Sequence, residues 1–255
     1  ASVTVVSSGN TLPTATSVDL PVAAETDYEA FEGMLITLID DAVVTETFGI
    51  ARYGEFAVSE TERLIQFSEC NTPNPATVGA YEDLLDLSRL TVDDGRSGDN
   101  VFPIILPDGS NLTATNSLRS GTVFTGLTGV LDERFTGYPT QFIGFTTQVK
   151  NARPAAAHAF GGFISVVGMN VLNDFTTLGS RGADDANEFD RQEAKIVAAI
   201  CELDADILGL VEIENNGFGA ASALQTLVDA IQAECGIIYD FVVNPNSGSD
   251  EIQVA

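Results

Sequence analysis

The chain has 255 residues, of which 44% are hydrophobic, enough for two modest domains with real cores. Eleven Lys and Arg stand against 37 Asp and Glu, and the formal charge of −26 repels phosphate polyanions and argues against a basic, nonspecific DNA groove. No run approaches the ~18 apolar residues of a membrane span, and three cysteines without a CxxC pair, with His158 as the one histidine, argue against a zinc centre.

Ala1 is not an initiator Met and no signal peptide opens the chain, so it reads as a processed or excised piece. Residues 1–26 begin with a short Val/Thr strand, then a Ser/Gly/Asn/Pro turn and an extended segment. Residues 27–150 are strand-like: 33–39, 43–48, 54–59, 63–67, 88–94 and 101–106 are β-branched or aromatic runs bounded by turn residues. Residues 121–131 and 139–145 predict a long hairpin whose internal glycines permit bulges and corners. Short strands at this density predict a small barrel of oligonucleotide/oligosaccharide-binding (OB) type, with a β-sandwich as the other solution. The arginines here are scattered among acids, so the region reads as a scaffold with at most an accessory substrate contact. Residues 151–162 form a Pro/Ala/Gly linker carrying His158, which reads as an ordinary linker residue.

From residue 163 the pattern changes. FISVVGMNVLN (163–173) and DILGLVEIENN (206–216) are apolar runs of the kind buried in parallel sheets. Between them Phe189, Ala194, Val197, Ile200 and Leu203 mark an amphipathic helix, with Asn187 as the expected N-cap. A second helix is expected at about 220–234, stopped by Gly236. Strands at 239–243 and from Ile252 complete a βαβαββ order. Open α/β sheets carry their sites beyond the carboxyl ends of the strands. Those ends hold Asn170 and Asn173 on the first strand and Glu212, Glu214, Asn215 and Asn216 on the second. Amides and carboxylates without a Gly-rich phosphate loop point to a hard metal rather than a dinucleotide.

The runs NVLNDFTT, SRGADDANEFDRQEAKIVAAI and LDADILGLVEIENN resemble the endonuclease/exonuclease/phosphatase (DNase I-like) superfamily, and within it the large secreted bacterial extracellular nucleases. The resemblance covers residues 163–255, with a weaker likeness of 27–150 to the β-rich domain that precedes the catalytic one. It implies a fold class: a multidomain chain with an OB-like barrel at 27–150, then the N-terminal half of a two-layer α/β sandwich. Residues 1–26 would be the last strand and linker of an earlier β-domain. It further implies that Glu212 and Asn170 hold or orient a divalent metal, Mg²⁺ first, with Mn²⁺ or Ca²⁺ as substitutes. Asn173, Arg181, Glu214, Asn215 and Asp250 become candidate substrate or supporting residues, Arg181 as a phosphate contact. Gln253 stands where the family has a basic residue.

The family's catalytic His, Gly-Asp-x-Asn and terminal Asp-His motifs are absent from these residues. The chain therefore reads as an interior fragment, inactive alone, of a secreted nuclease acting on extracellular DNA. Its partners would be DNA and the remainder of its own polypeptide or another subunit. The competing reading is a non-catalytic acidic module that binds calcium or packs into a surface assembly. Cys201 and Cys235 fall near the ends of two helices that run side by side. With the acidic composition and the secreted resemblance, they are the expected disulfide; Cys70 is left unpaired or paired outside the chain.

Overall fold

The computed structural model describes residues 4–113, 115–134, 137–156, 161–244 and 246–255; His158 lies outside them. The chain divides into two units, Ala1–Arg153 and Pro154–Ala255. The protein is mixed α/β, with one large and one small sheet.

Among the described residues the first unit has nine strands: β1 (Thr16–Val18), β2 (Leu35–Leu38), β3 (Ala42–Glu46), β4 (Phe56–Glu60), β5 (Leu90–Asp93), β6 (Val123–Thr125), β7 (Thr128–Leu131), β8 (Thr140–Gly144) and β9 (Thr147–Val149). Their order is β1-β2-β7-β8-β5-β4-β3-β6-β9, mixed in sense, with β1/β2 and β5/β8 parallel. The expected closed barrel is not formed: among the described residues β1 and β9 remain the two edges of an open sheet. Residues 1–26 do not stand apart from this unit, since β1 lies along β2 and Val18 and Val22 join its core. The hairpin at 121–145 is present as β7 against β8. Phe124 is fully buried at the centre of the core, its ring 5.1 Å from that of Phe145 and 6.2 Å from that of Phe56. The buried Glu60 carboxylate accepts the backbone N–H groups of Leu20 (2.6 Å) and Asp40 (2.7 Å), and so ties two loops to β4.

Two expected strands are absent, and each has a local reason. Residues 63–67 lead into a short helix, α1 (Phe67–Cys70), because β4 is already paired on both sides by β3 and β5. In 101–106, Pro103 has no N–H to donate to a ladder, and only an isolated bridge from Ile105 to Asn111 forms. A helix not expected from the sequence, α2 (Pro75–Leu87), follows; the Asn74 side chain caps it by accepting from Ala76 N, and Pro75 occupies the first turn.

The second unit runs β10 (Val166–Asp174), α3 (Ala186–Leu203), β11 (Ile207–Glu214), α4 (Ala223–Cys235) and β12 (Ile252–Val254). β10 and β11 are parallel, as their apolar runs predict, and β12 is antiparallel to β11. α3 is capped by Asp185, which accepts from Glu188 N, and not by Asn187. α4 starts from Ser222 and stops at Gly236, whose φ of 74° is the left-handed conformation foreseen there. No strand forms at 239–243; Tyr239 instead donates its hydroxyl to Ala205 O (2.7 Å), and Phe241 stacks on Phe218.

Both helices cover one face of the small sheet, burying Val171, Leu210, Ile213, Ile200 and Leu227 in one core. The opposite face is open: Val166 is 69%, Ile207 54% and Val254 70% exposed. Cys201 and Cys235 are joined in a disulfide with Cα atoms 6.0 Å apart, and Cys70 is free and exposed.

Candidate functional site

The carboxyl ends of β10 and β11 depart from regular pairing together. Register runs from Val166↔Ile207 to Asn170↔Val211, then resumes at Asp174↔Ile213. Four residues on β10 therefore span two on β11. Leu172 (φ 55°), Asn173 (φ 53°) and Glu212 (φ 66°) adopt the left-handed conformation to make this double bulge. For residues with a Cβ that costs ~1–2 kcal/mol each, and such strain persists only where surroundings enforce it.

The enforcement comes from α3 and from the loop after β10. Gln192 donates its amide to Leu172 O (2.8 Å) and Val171 O (3.1 Å), carbonyls that the bulge withdraws from the ladder. Gly182 returns against the bulge so closely that a Cβ there would lie 2.6 Å from Asn173 O. Glu214, 6% exposed, gathers the same loop onto β11. Its Oε2 accepts from Thr176 N (2.8 Å), Thr176 Oγ1 (3.0 Å), Thr177 N (3.1 Å) and Asn216 Nδ2 (2.9 Å). Glu214 is thus engaged in anchoring the loop.

The other candidates divide in the same way. Asn215 donates to Asp250 O (2.9 Å) and Gly248 O (3.3 Å) and accepts from Ser247 Oγ (2.9 Å), which pins the segment entering β12. Arg181, from the loop after β10, reaches Asp250 Oδ1 at 3.1 Å, so that loop spans the sheet end and keeps further guanidinium N–H groups for a ligand. Gln253 is buried and donates to Glu214 O (3.2 Å), inside the sheet. Asn170 is exposed, with its Oδ1 accepting from Leu172 N at 2.7 Å. Glu212, half-buried, follows directly on the register partner of Asn170, and among the described residues no hydrogen bond or ion pair engages it. Asn170 and Glu212 are neighbours across the strands, but no hydrogen bond joins their side chains.

Asp174 escaped the sequence reading. It is 2% exposed, and its Oδ1, like that of Asn173, meets no partner. Burial, then the charges of Glu193 and Glu214, push its pKa up to about 7. The available signal was a second polar residue directly after Asn173, inside an otherwise apolar strand. Gln192 was also missed; its sign was a polar residue within the apolar stripe of α3.

Among the described residues no group of three or more His, Cys, Asp or Glu side chains is gathered to hold a metal ion. One unengaged carboxylate with a neighbouring amide suits a cation such as Mg²⁺, which keeps most of its waters and takes one or two carboxylates plus substrate phosphate. No protein-family model, curated protein or solved structure matches this chain significantly.

Proposed function

We propose that the second unit is part of a metal-dependent phosphodiesterase of the endonuclease/exonuclease/phosphatase type, acting on DNA outside the cell, with the first unit as a β-sheet scaffold. The observation that carries this reading is the double bulge: backbone strain is held in place around a carboxylate, Glu212, that makes no bond among the described residues. Mg²⁺ bound there would supply charge for the scissile phosphate. Glu212 would be its carboxylate ligand, and Asn170 would orient Glu212 or a bound water without adding charge. Arg181, with Asp250 fixing one nitrogen, would hold the phosphate through its remaining N–H groups. Glu214 and Asn215 fix the loops that carry these groups, and Asn173 belongs to the bulge that shapes them. The Cys201–Cys235 disulfide supports an oxidising compartment. The open face around Val166 and Val254 calls for cover by further protein, from the same polypeptide or another subunit.

The test is DNA cleavage by the secreted protein, with and without Mg²⁺, against its Glu212→Gln variant. Loss of about 10²-fold or more, with Mg²⁺ dependence in the parent, is expected. A variant that cleaves like its parent overturns the assignment. The charge of −26 favours one other reading, a non-catalytic acidic calcium-binding module; calcium uptake without any cleavage would select it.

A further inference from the structure

The bulge at the end of β10 holds more hydrogen-bond acceptors than donors. The amide nitrogen of Gln192 reaches three backbone carbonyls, those of Leu172 (2.8 Å), Val171 (3.1 Å) and Asn173 (3.4 Å), with only its two hydrogens to give. The same segment adds the side-chain oxygens of two consecutive residues. The Oδ1 atoms of Asn173 and Asp174 are both buried and meet no partner among the described residues, and Asp174 is 2% exposed. Glu193 follows Gln192 on the turn of α3 that lies against the bulge. Half-buried, it has no ion pair among the described residues.

The charges that reach Asp174 are those of Glu193 and Glu214, both negative, and they add to the effect of its burial. Glu214 Oε2 is already taken by the four donors of its loop. A water molecule would supply hydrogens but leave the carboxylates of Asp174 and Glu193 uncompensated in a largely buried place. A divalent cation answers both needs, replacing the missing donors and neutralising the two carboxylates together. The oxygens on offer are carboxylate, amide and backbone carbonyl, arranged by a strained segment. Ca²⁺ accepts about six to eight oxygens of these kinds, waters included, in flexible geometry, whereas Mg²⁺ demands a near-ideal octahedron and sheds water reluctantly. The position also differs from that of the Glu212 site. Asp174 is the register partner of Ile213, which lies in the core under the helices, whereas Asn170 is exposed.

We infer that Asp174, Asn173 and Glu193 form a calcium site that locks the double bulge from the helix side of the sheet. The inference stands on the bulge alone, whether or not the unit cleaves DNA. The test is calorimetric titration of the whole 255-residue chain with CaCl₂ at physiological ionic strength, which screens diffuse attraction to the acidic surface. One site is expected, with a dissociation constant of about 10⁻⁴–10⁻³ M, as in extracellular calcium modules. Asp174→Asn and Glu193→Gln should each weaken it by about tenfold or more, since each removes a ligand charge. Glu212→Gln, and Glu202→Gln/Glu234→Gln on exposed acids of the same unit, should leave it unchanged. Ca²⁺ at about a hundred times its dissociation constant should slow amide exchange at residues 171–174 by about a hundredfold in the parent and not in Asp174→Asn. Circular dichroism of each variant shows that the fold is retained. Equal losses from the bulge and exposed-acid variants would mean a diffuse attraction and overturn the inference. Calcium binding lost in Glu212→Gln but kept in Asp174→Asn would place the ion at the other site and overturn it too, as would a parent that shows no calcium-dependent protection at the bulge.

Discussion

Replacing Asp174 by Asn should stabilise the second unit, and by an amount that depends on pH. Asp174 is buried with an oxygen that meets no partner among the described residues, and burial first, then the charges of Glu193 and Glu214, push its pKa from the ordinary carboxylate range up to about 7. The unfolded chain releases this proton near pH 4, whereas the folded chain retains it until about pH 7. Between those values the folded state binds more protons, so stability falls as pH rises, then levels off above the folded pKa. That difference corresponds to ~4 kcal/mol at the high-pH limit. Asn has nearly the same shape and is neutral throughout, so it adds no charge near Glu193 and Glu214. The variant should match the parent near pH 4 and exceed it by up to ~4 kcal/mol near pH 8. Amide hydrogen exchange of β10, β11 and α3, with a chelator present, reads this unit separately from the first. A difference that does not grow between pH 4 and 8 would refute the reasoning. It would mean that the ionised carboxylate is compensated in the fold.

Gln192→Leu keeps the volume but strands the carbonyls of Val171 and Leu172; a loss of ~1–3 kcal/mol is expected in urea denaturation, together with faster exchange at the bulge. Replacing Cys201 and Cys235 by Ser opens a loop closed across a sequence separation of 34. It should cost ~3–4 kcal/mol in the chain-entropy description, read as a lower denaturation midpoint. The 255-residue chain assayed alone with excess Mg²⁺ should cleave DNA feebly at best, since its one histidine, His158, precedes β10 and general acid–base catalysis is worth ~10²–10⁴-fold. Rapid Mg²⁺-dependent cleavage by this chain would show that the site uses groups that otherwise serve structure.

The βαβ unit was legible because its information is local. Two continuous apolar runs mark parallel strands, covered here on one face by the stripe of α3, and Gly236 marks a backbone conformation that other residues resist. The cysteine pairing followed from helices lying side by side. α2 was hidden because it buries no side chain, so no stripe announces it; Asn74-Pro75 was its only sign. The open first sheet was not legible either. Whether β1 meets β9 depends on strands separated by most of that unit's length, and no local preference encodes such a pairing.

The site divides along the same line. Residue types and their places at strand ends sufficed to nominate Asn170 and Glu212, while Arg181 and Asp250 entered through the family resemblance. Which of them are free to act is a tertiary matter. Glu214 and Glu212 are two residues apart and chemically identical. Glu214 is occupied by a loop that returns from β10, while Glu212 is left unengaged by a bulge that Gln192, eighteen residues further along the chain from Asp174, holds in place. A carboxylate's role is set by the donors that reach it. Those donors arrive through long-range packing, which the spacing of residues along the chain does not record.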